Sequence, residues 1–341
     1  MESRYFLTRH SFKPKGEDAE SKRYKGISKK GVELARSSAK NILDDIERSP
    51  KGAVIFLGGA SNEVRTRSTA EVYGDELKRL LAGRKDYIVI TRDDLPRGKG
   101  YNAIAKQVKE VITANPDKKV IVDIPFFLKE FSPPKEQEGR AGWFTREGKP
   151  TAYLANLVEK HKGDEYEMMK DWLTTRGREG ELKGPIPEDI AKSYEKGLSR
   201  LEKFTKKYVE DRPYVIGIVG HSCNADAYLT YIAGGGKVDL PTFEKISSGK
   251  EVIKETEMAS IMISPEITTL TYRGKEHKRK SLEKLTGAVA IISIFSGLFL
   301  LSSNITGNTI ANINQNFNSL LSSILLLIGL VTGFFWIKLR S

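Results

Sequence analysis

The sequence is poor in several residue types that define whole classes of proteins. It has a single cysteine, Cys223, and four histidines in 341 residues. One cysteine excludes an intramolecular disulfide and a cysteine-rich zinc site. The N-terminus has no apolar core of the secretory type, so nothing marks residues 1–284 for secretion. The composition of these residues, with net charge +10 of the total +12, is that of a globular chain.

The most informative absence is that of charge near the C-terminus. Residues 285–337 contain no Asp, Glu, Lys or Arg, although the chain carries 56 Lys and Arg and 44 Asp and Glu. Two apolar segments in this stretch, 285–303 and 320–337, are each long enough as helices to cross a hydrocarbon core of about 30 Å. We therefore expect a transmembrane helical hairpin. A hairpin buried in the globular domain is the alternative, but neither segment shows a polar stripe.

Positive residues lie only on the outer sides of these two segments. A basic run, 275–284, precedes the first segment, and Lys338 and Arg340 follow the second. The connector has no charge. By the positive-inside rule, both termini and the globular domain lie in the cytoplasm. We expect 275–284 to be a juxtamembrane linker.

The first 274 residues alternate between short apolar runs and amphipathic patterns. The runs predict strands at 4–8, 53–57, 87–91, 120–124, 214–219, 259–263 and 267–272. The patterns predict helices at 30–48, 64–82, 101–114 and 188–210, and one after His221. Strands separated by helices predict a three-layer α/β/α sandwich with a mainly parallel sheet.

One part of this domain departs from the alternation. Residues 129–150 are rich in Pro, Gly and charge, which is typical of a loop or flap, and 151–175 have the pattern of one or two helices. We interpret 129–185 as an insertion or cap within a catalytic domain that covers 1–274.

Basic side chains occur at or after the ends of three predicted strands. Arg9 and His10 end the first strand, Arg65 and Arg67 open the helix after the second, and His221 follows the strand at 214–219. The carboxyl ends of parallel strands meet at one edge of a sheet, where ligands bind. An imidazole can attack phosphorus, and guanidinium groups hold phosphate oxygens. A second, protonated imidazole adds a donor.

These residues resemble the signatures of the histidine phosphatase (phosphoglycerate mutase-like) superfamily. Its Arg-His pair is matched by LTRH at 7–10, and its helix start Leu-Ser/Thr-x-x-Gly-x-x-x-Ala by ISKKGVELA at 27–35. Its Arg-Ala/Thr-x-x-Thr-Ala element is matched by RTRSTA at 65–70, and its strand ending in Gly/Ser-His by VGH at 219–221. The four matches occur in order across residues 4–233.

The resemblance implies roles for the basic residues. His10 is expected to be the phosphorylated nucleophile, and Arg9, Arg65 and His221 are expected to form the phosphate pocket. Arg67 is the alternative to Arg65, although the spacing to the Thr-Ala pair favours Arg65.

The resemblance fails at the general acid. Arg97 stands where mutase-type members have a Glu, and Ser222 stands where phytase-type members have an acid. Asp93 and Asp94 are the nearest carboxylates, and we take Asp94 as the candidate acid; a solvated loop is the alternative for both. The missing acid favours hydrolysis over mutase activity.

The sequence therefore predicts a membrane-anchored phosphatase with a phosphohistidine intermediate. Its partners are expected to be a phosphorylated small molecule, lipid or protein as substrate and membrane lipids through 285–337. No cofactor, metal ion or nucleic acid is predicted. The alternative is a catalytically weak phospho-ligand-binding or scaffold protein tethered to the membrane.

Overall fold

The computed structural model describes most of the first 280 residues. The ranges are 3–59, 63–96, 101–124, 128–209, 211–249 and 251–280, with short helical pieces at 293–295, 323–328, 330–331 and 334. The chain divides into two compact units, one of 1–264 with 268–279 and one of 265–267 with 280–341. The first unit contains the motifs identified in the sequence.

Eight strands of the described residues form one sheet, in the order β10-β9-β8-β1-β7-β2-β4-β3. The strands are β1 (Ser3–Arg9), β2 (Val54–Gly59), β3 (Tyr87–Ile90), β4 (Lys119–Ile124), β7 (Tyr214–Gly220), β8 (Met258–Ile263), β9 (Ile267–Tyr272) and β10 (Lys275–Lys280), and a separate hairpin has β5 (Arg178–Glu179) and β6 (Leu182–Lys183). Strands β1, β7, β2, β4 and β3 are parallel, and β8 and β9 are antiparallel. The predicted mainly parallel sheet is confirmed.

Helices cover both faces of this sheet. They are α1 (Lys29–Glu47), α2 (Val64–Leu80), α3 (Tyr101–Ala114), α4 (Ala152–Lys160), α5 (Glu165–Thr175), α6 (Pro187–Val209), α7 (Ser222–Ala233) and α8 (Leu240–Ser247). Successive strand residues point to opposite faces. Phe6 of β1 therefore packs in the apolar core with α1 and α2, whereas Tyr5 and Leu7 pack in the core with α3, α6 and α7. The three-layer sandwich follows from this division.

The predicted strands and helices are present with ends within two residues of the expected positions. The segment 275–284 was expected to be a linker, but its first part, Lys275–Lys280, forms the edge strand β10. Arg279 lies over the Tyr231 ring at 4.7 Å and pairs with Glu195, which fixes the strand against the helices. The other side chains of β10 are mostly charged and exposed, as is usual for a strand at the edge of a sheet.

The insertion is folded against the rest of the unit. Its irregular part, 132–151, is held by backbone hydrogen bonds, including Trp143 N to Pro134 O at 2.9 Å and Thr151 N to Trp143 O at 3.0 Å. Gly197 of α6 allows Phe131 to approach, because a Cβ there would lie 2.6 Å from the Phe131 ring. Helices α4 and α5 and the β5-β6 hairpin complete the insertion.

No helix of the described residues is both long and apolar enough to span a membrane. The segments 285–303 and 320–337, predicted as transmembrane helices, lie outside the described residues except for the short pieces named above.

Candidate active site

The sheet register brings the two motif histidines together. Arg9 of β1 is aligned with Gly220 of β7, and the His10 N–H donates to the Gly220 carbonyl at 3.0 Å. His10 and His221 therefore leave neighbouring strand ends side by side, and their ring centroids lie 5.2 Å apart. The convergence expected from parallel strands is observed.

The surroundings of His10 keep its imidazole neutral. Nδ1 lies 2.8 Å from the Ser11 carbonyl. Because a carbonyl only accepts, this contact places the proton on Nδ1 and leaves the Nε2 electron pair available. Burial is the main cause that lowers the pKa of His10 to about 3, and the charges of Arg65 and Arg9 lower it further. A neutral imidazole with an unprotonated Nε2 is the form that attacks an electrophile.

The loop after β1 is held by residues of two other motifs. Ser11 N donates to Thr69 Oγ1 at 3.1 Å, and Ser11 Oγ donates to the Gly31 carbonyl at 2.6 Å. Only glycine fits at position 31, since a Cβ there would lie 2.7 Å from the Phe12 carbonyl oxygen. Ser28 caps α1 by accepting from Gly31 N at 3.0 Å. The Ser-x-x-Gly and Thr-Ala elements thus position the loop that carries His10.

The two arginines at the start of α2 occupy different places. Arg65 lines the cavity beside His10. Burial is the main cause that lowers the pKa of Arg65, and the charge of Arg9 acts in the same direction. Arg67 is absent from the cavity lining, and its carbonyl accepts from Arg92 at 2.9 Å. The sequence left both arginines open, and the structure brings only Arg65 to the cavity.

His221 stands beside a concentration of positive charge. Burial, with the neighbouring His10, Arg65 and Arg9, lowers the pKa of His221 well below its ordinary value. The imidazole is therefore neutral in this state, in contrast to the protonated ring predicted from the sequence. A phosphate dianion beside it would favour the protonated form, because opposite charges stabilise each other.

Arg9 is met by two carboxylates that sequence reasoning missed. Its guanidinium contacts Glu165 at 2.8 and 3.0 Å and Glu255 at 3.0 Å, and it donates to the Ile253 carbonyl at 3.1 Å. Glu165 also accepts from Ser222 Oγ at 3.4 Å. Both glutamates line the cavity. Nothing in the sequence distinguishes them: Glu165 follows the helix cap Asp164, where acidic residues are ordinary.

Asp94, the acid chosen from the sequence, is engaged elsewhere. Its carboxylate accepts from Lys78 at 2.7 and 2.8 Å and from the Thr91 backbone N–H at 2.9 Å. These contacts lower the pKa of Asp94 against the opposing effect of burial. Asp94 is not among the residues that line the cavity, and Asp93 pairs with Arg23. The structure does not bring Asp94 to His10.

The cavity beside His10 has a volume of about 600 Å³. Arg9, His10, Arg65 and His221 form one part of its lining, which we call the basic end. A second part, lined by apolar side chains, comes from the insertion. In the ranges that the structure describes, no three His, Cys, Asp or Glu residues lie close enough to hold a metal ion.

Cys223 also lines the cavity but is not poised for attack. Burial raises the pKa of its thiol to about 12. A thiol of this kind stays protonated near neutral pH and is a poor nucleophile. His10 is the cavity's candidate nucleophile.

Several solved structures are similar to this chain, with low sequence identity. A protein described as mycobacterial hydrolase 1 is 12% identical, with a TM-score of 0.38, over 82% of this chain and 97% of that one. A mycobacterial glucosyl-3-phosphoglycerate phosphatase is 9% identical, with a TM-score of 0.37, over 76% and 89%. A phosphoglycerate mutase from Bacillus anthracis is 10% identical, with a TM-score of 0.38, over 80% and 93%.

No family model matches the sequence, and no curated protein matches it. At such identities and TM-scores, the similarities establish neither family nor activity for this chain. Its function is therefore inferred from its own residues.

Proposed function

We propose that this chain is a phosphatase of the histidine phosphatase type, which hydrolyses a phosphomonoester through a phosphohistidine on His10. The observation that carries the proposal is the state of His10. Its Nδ1 is held by the Ser11 carbonyl, and its Nε2 electron pair is available beside Arg65 and His221 in the cavity. These features suit attack on a phosphoryl group.

In the first step, Nε2 of His10 attacks phosphorus. The P–N bond forms as the P–O bond to the leaving group breaks, and the electron pair of that bond passes to the leaving oxygen. Arg65 and His221 stabilise the charge on the phosphoryl oxygens. The ring charge that develops on His10 is stabilised by its Nδ1–H bond to the Ser11 carbonyl.

The leaving oxygen takes a proton, and Glu165 is our candidate donor. It lines the same cavity and contacts Arg9 and Ser222. An incoming phosphate competes with Glu165 for the Arg9 guanidinium. In its protonated form, the Glu165 carboxyl group released from Arg9 can donate that proton. In the second step, Glu165 takes a proton from water as the water oxygen attacks phosphorus, and the P–N bond electrons return to Nε2.

The alternative is a phospho-ligand-binding or scaffold protein with weak activity. The observation in its favour is that Arg9 is already paired with Glu165 and Glu255. A phosphate must displace these contacts before it gains the full set of donors. A binding protein would tolerate this arrangement if no turnover were required.

Hydrolysis in heavy-oxygen water separates the two functions. The full chain is incubated with p-nitrophenyl phosphate, and the released phosphate is analysed by mass spectrometry. A phosphatase that attacks phosphorus places one solvent oxygen in each phosphate. Saturable phosphate binding without release of labelled phosphate would support the binding protein and overturn the phosphatase.

We further propose that residues 285–303 and 320–337 anchor the protein in a membrane, with the catalytic unit and both termini on the cytoplasmic side. The support is the absence of charge and the flanking Lys and Arg residues. In addition, three side chains in the short described pieces of these segments, Phe295, Leu327 and Phe334, are 69%, 64% and 65% exposed.

Extraction at alkaline pH tests the anchor. The full chain is expected to stay in the membrane pellet. A Leu298→Arg, Leu326→Arg variant is expected to be released, because each arginine costs about 3 kcal/mol at a helix centre in the bilayer. Ser341→Arg is the control, since it adds the charge beyond both segments. Release of the unmodified chain would contradict the anchor.

A further inference from the structure

The cavity has a second chemical character that phosphate binding does not use. Eight apolar side chains of the insertion line it, and six of them form what we call the apolar wall: Trp143, Phe144, Leu154, Met168, Met169 and Trp172. They come from one stretch of 30 residues, 143–172, whereas the basic end comes from strand and helix ends of the sheet.

The apolar wall is preformed. The rings of Trp143 and Trp172 contact each other at 4.8 Å between centroids, and the Trp172 indole N–H donates to the Pro185 carbonyl at 2.6 Å. Trp172 and Met169 are almost completely buried. Leu154 and Met168 are only half-buried and present surface to the cavity. Little ordering is therefore needed when a ligand contacts this surface.

The wall offers almost no hydrogen-bonding partners. Its one unused donor is the Trp143 indole N–H, which has no hydrogen-bond partner within the described residues. The charged side chains of the cavity lie at the basic end, on the adjoining glutamates, and on the loop that carries Lys13, Lys15 and Asp18. A leaving group with many hydroxyls would lose water here without replacement partners, which is unfavourable.

We infer that the enzyme's substrate is the phosphate monoester of an apolar alcohol, whose hydrocarbon part lies on the apolar wall. This inference rests on the proposed function, in that the phosphoryl group occupies the basic end. The cavity volume of about 600 Å³ leaves room for both parts, since pockets for small ligands span roughly 300–1,000 Å³. Sugar phosphates and other polar monoesters are poor substrates by the same reasoning.

Binding of n-alkylphosphonates tests the wall without turnover. Calorimetry with the full chain compares the series from ethylphosphonate to octylphosphonate, below the concentrations at which they aggregate. Each methylene buried on the wall is expected to lower Kd about two- to fourfold, until the chain outgrows the wall. The same Kd along the series would overturn the inference.

Two near-isosteric substitutions test whether the dependence of Kd on chain length arises at the apolar wall. Leu154→Asn and Met168→Gln are each expected to raise the Kd of octylphosphonate about tenfold and to leave ethylphosphonate unchanged. Val158→Asn is the matched control, because Val158 is on α4 with Leu154 but is 44% exposed and outside the cavity lining. Equal effects of Leu154→Asn and Val158→Asn would contradict the assignment.

Turnover of primary alkyl phosphates separates this inference from the proposed function. Hexyl phosphate and glucose 6-phosphate have leaving groups of similar reactivity, and kcat/KM for the former is expected to be at least about 50-fold higher. Tighter binding of long phosphonates without hydrolysis of any monoester would support hydrocarbon binding at the apolar wall and contradict the phosphatase activity. Equal hydrolysis of the two esters, with no chain-length effect on Kd, would retain the phosphatase and reject the wall.

Discussion

The two parts of the cavity lining are built by different means. The basic end places four side chains at the carboxyl ends of β1 and β7 and at the start of α2, where the sheet register fixes their separations. The apolar wall is built from an irregular loop and two short helices inserted after β4. The comparison suggests that the sheet supplies the chemistry and the insertion selects the leaving group. Changes at the basic end should then affect every substrate, and changes at the wall only some.

The largest effect is expected at the proposed nucleophile. His10→Ala should lower kcat/KM about 10⁴-fold or more for every monoester, since the covalent intermediate is no longer possible. Initial rates with p-nitrophenyl phosphate measure this. His161→Ala is the control, because His161 pairs with Asp171 in the insertion and does not line the cavity. Substantial activity in His10→Ala would contradict the role of the basic end.

The next effect distinguishes the two arginines of α2. Arg65→Ala is expected to lower kcat/KM about 10²- to 10³-fold, because a cation that stabilises the transition state is lost. Arg67→Ala is expected to lower it less than about tenfold, since Arg67 is outside the cavity lining. Circular dichroism and the Tm of each variant control for folding. The opposite order would place Arg67 in the site.

The effect of removing the proposed general acid, Glu165, should depend on the leaving group of the substrate. Glu165→Gln is expected to lower kcat about 10²-fold for alkyl phosphates and less for p-nitrophenyl phosphate, whose leaving group needs little protonation. Asp94→Asn is the matched comparison and should leave both rates nearly unchanged, because Asp94 is held by Lys78 and Thr91. A leaving-group effect in Asp94→Asn alone would restore the acid chosen from the sequence.

The smallest effect is on stability. Burial lowers the pKa of His10 to about 3 and also lowers that of His221, from an ordinary value of 6.5. Between about pH 6.5 and 3, His10 binds more protons in the unfolded chain than in the folded one, and the lowered pKa of His221 acts in the same direction below about pH 6.5. The free energy of unfolding should therefore fall as pH decreases through this window, by up to about 1.4 kcal/mol per pH unit for each histidine.

Denaturant unfolding at pH 7 and pH 5 measures this dependence. His10→Gln should lose about 1–2 kcal/mol less than the unmodified chain on acidification, since it has one buried imidazole fewer. Identical losses in the two proteins would indicate that folding does not lower the pKa of His10.

The basic end could be predicted from the sequence, because three of its four residues lie at the ends of buried strands. Arg9-His10 and Gly220-His221 end strands whose apolar runs are easily recognised, and parallel strands must bring such ends together. The motif glycine at position 31 is explained only by the structure, through its close approach to Phe12. The strand β10 was not predicted because an edge strand of charged residues lacks an apolar run.

The insertion could not be predicted in the same way. Its tryptophans and methionines have no fixed period, and their meeting on one surface depends on the irregular loop 132–151. Glu165 has the sequence context of any first helical turn, so its contact with Arg9 had no signal in the sequence. Asp94 lies close in sequence to Arg97, where mutase-type members have a Glu, but closeness in sequence does not determine which way a side chain points.

The most direct test of the account is to trap the intermediate. The full chain is mixed with a substrate labelled in its phosphoryl group and quenched in alkali, in which phosphohistidine survives, and the labelled peptide is identified by mass spectrometry. The account predicts label on the peptide that contains His10, in His161→Ala as in the unmodified chain, and its loss in His10→Ala. Turnover without protein-bound label, or label on another residue, would contradict it.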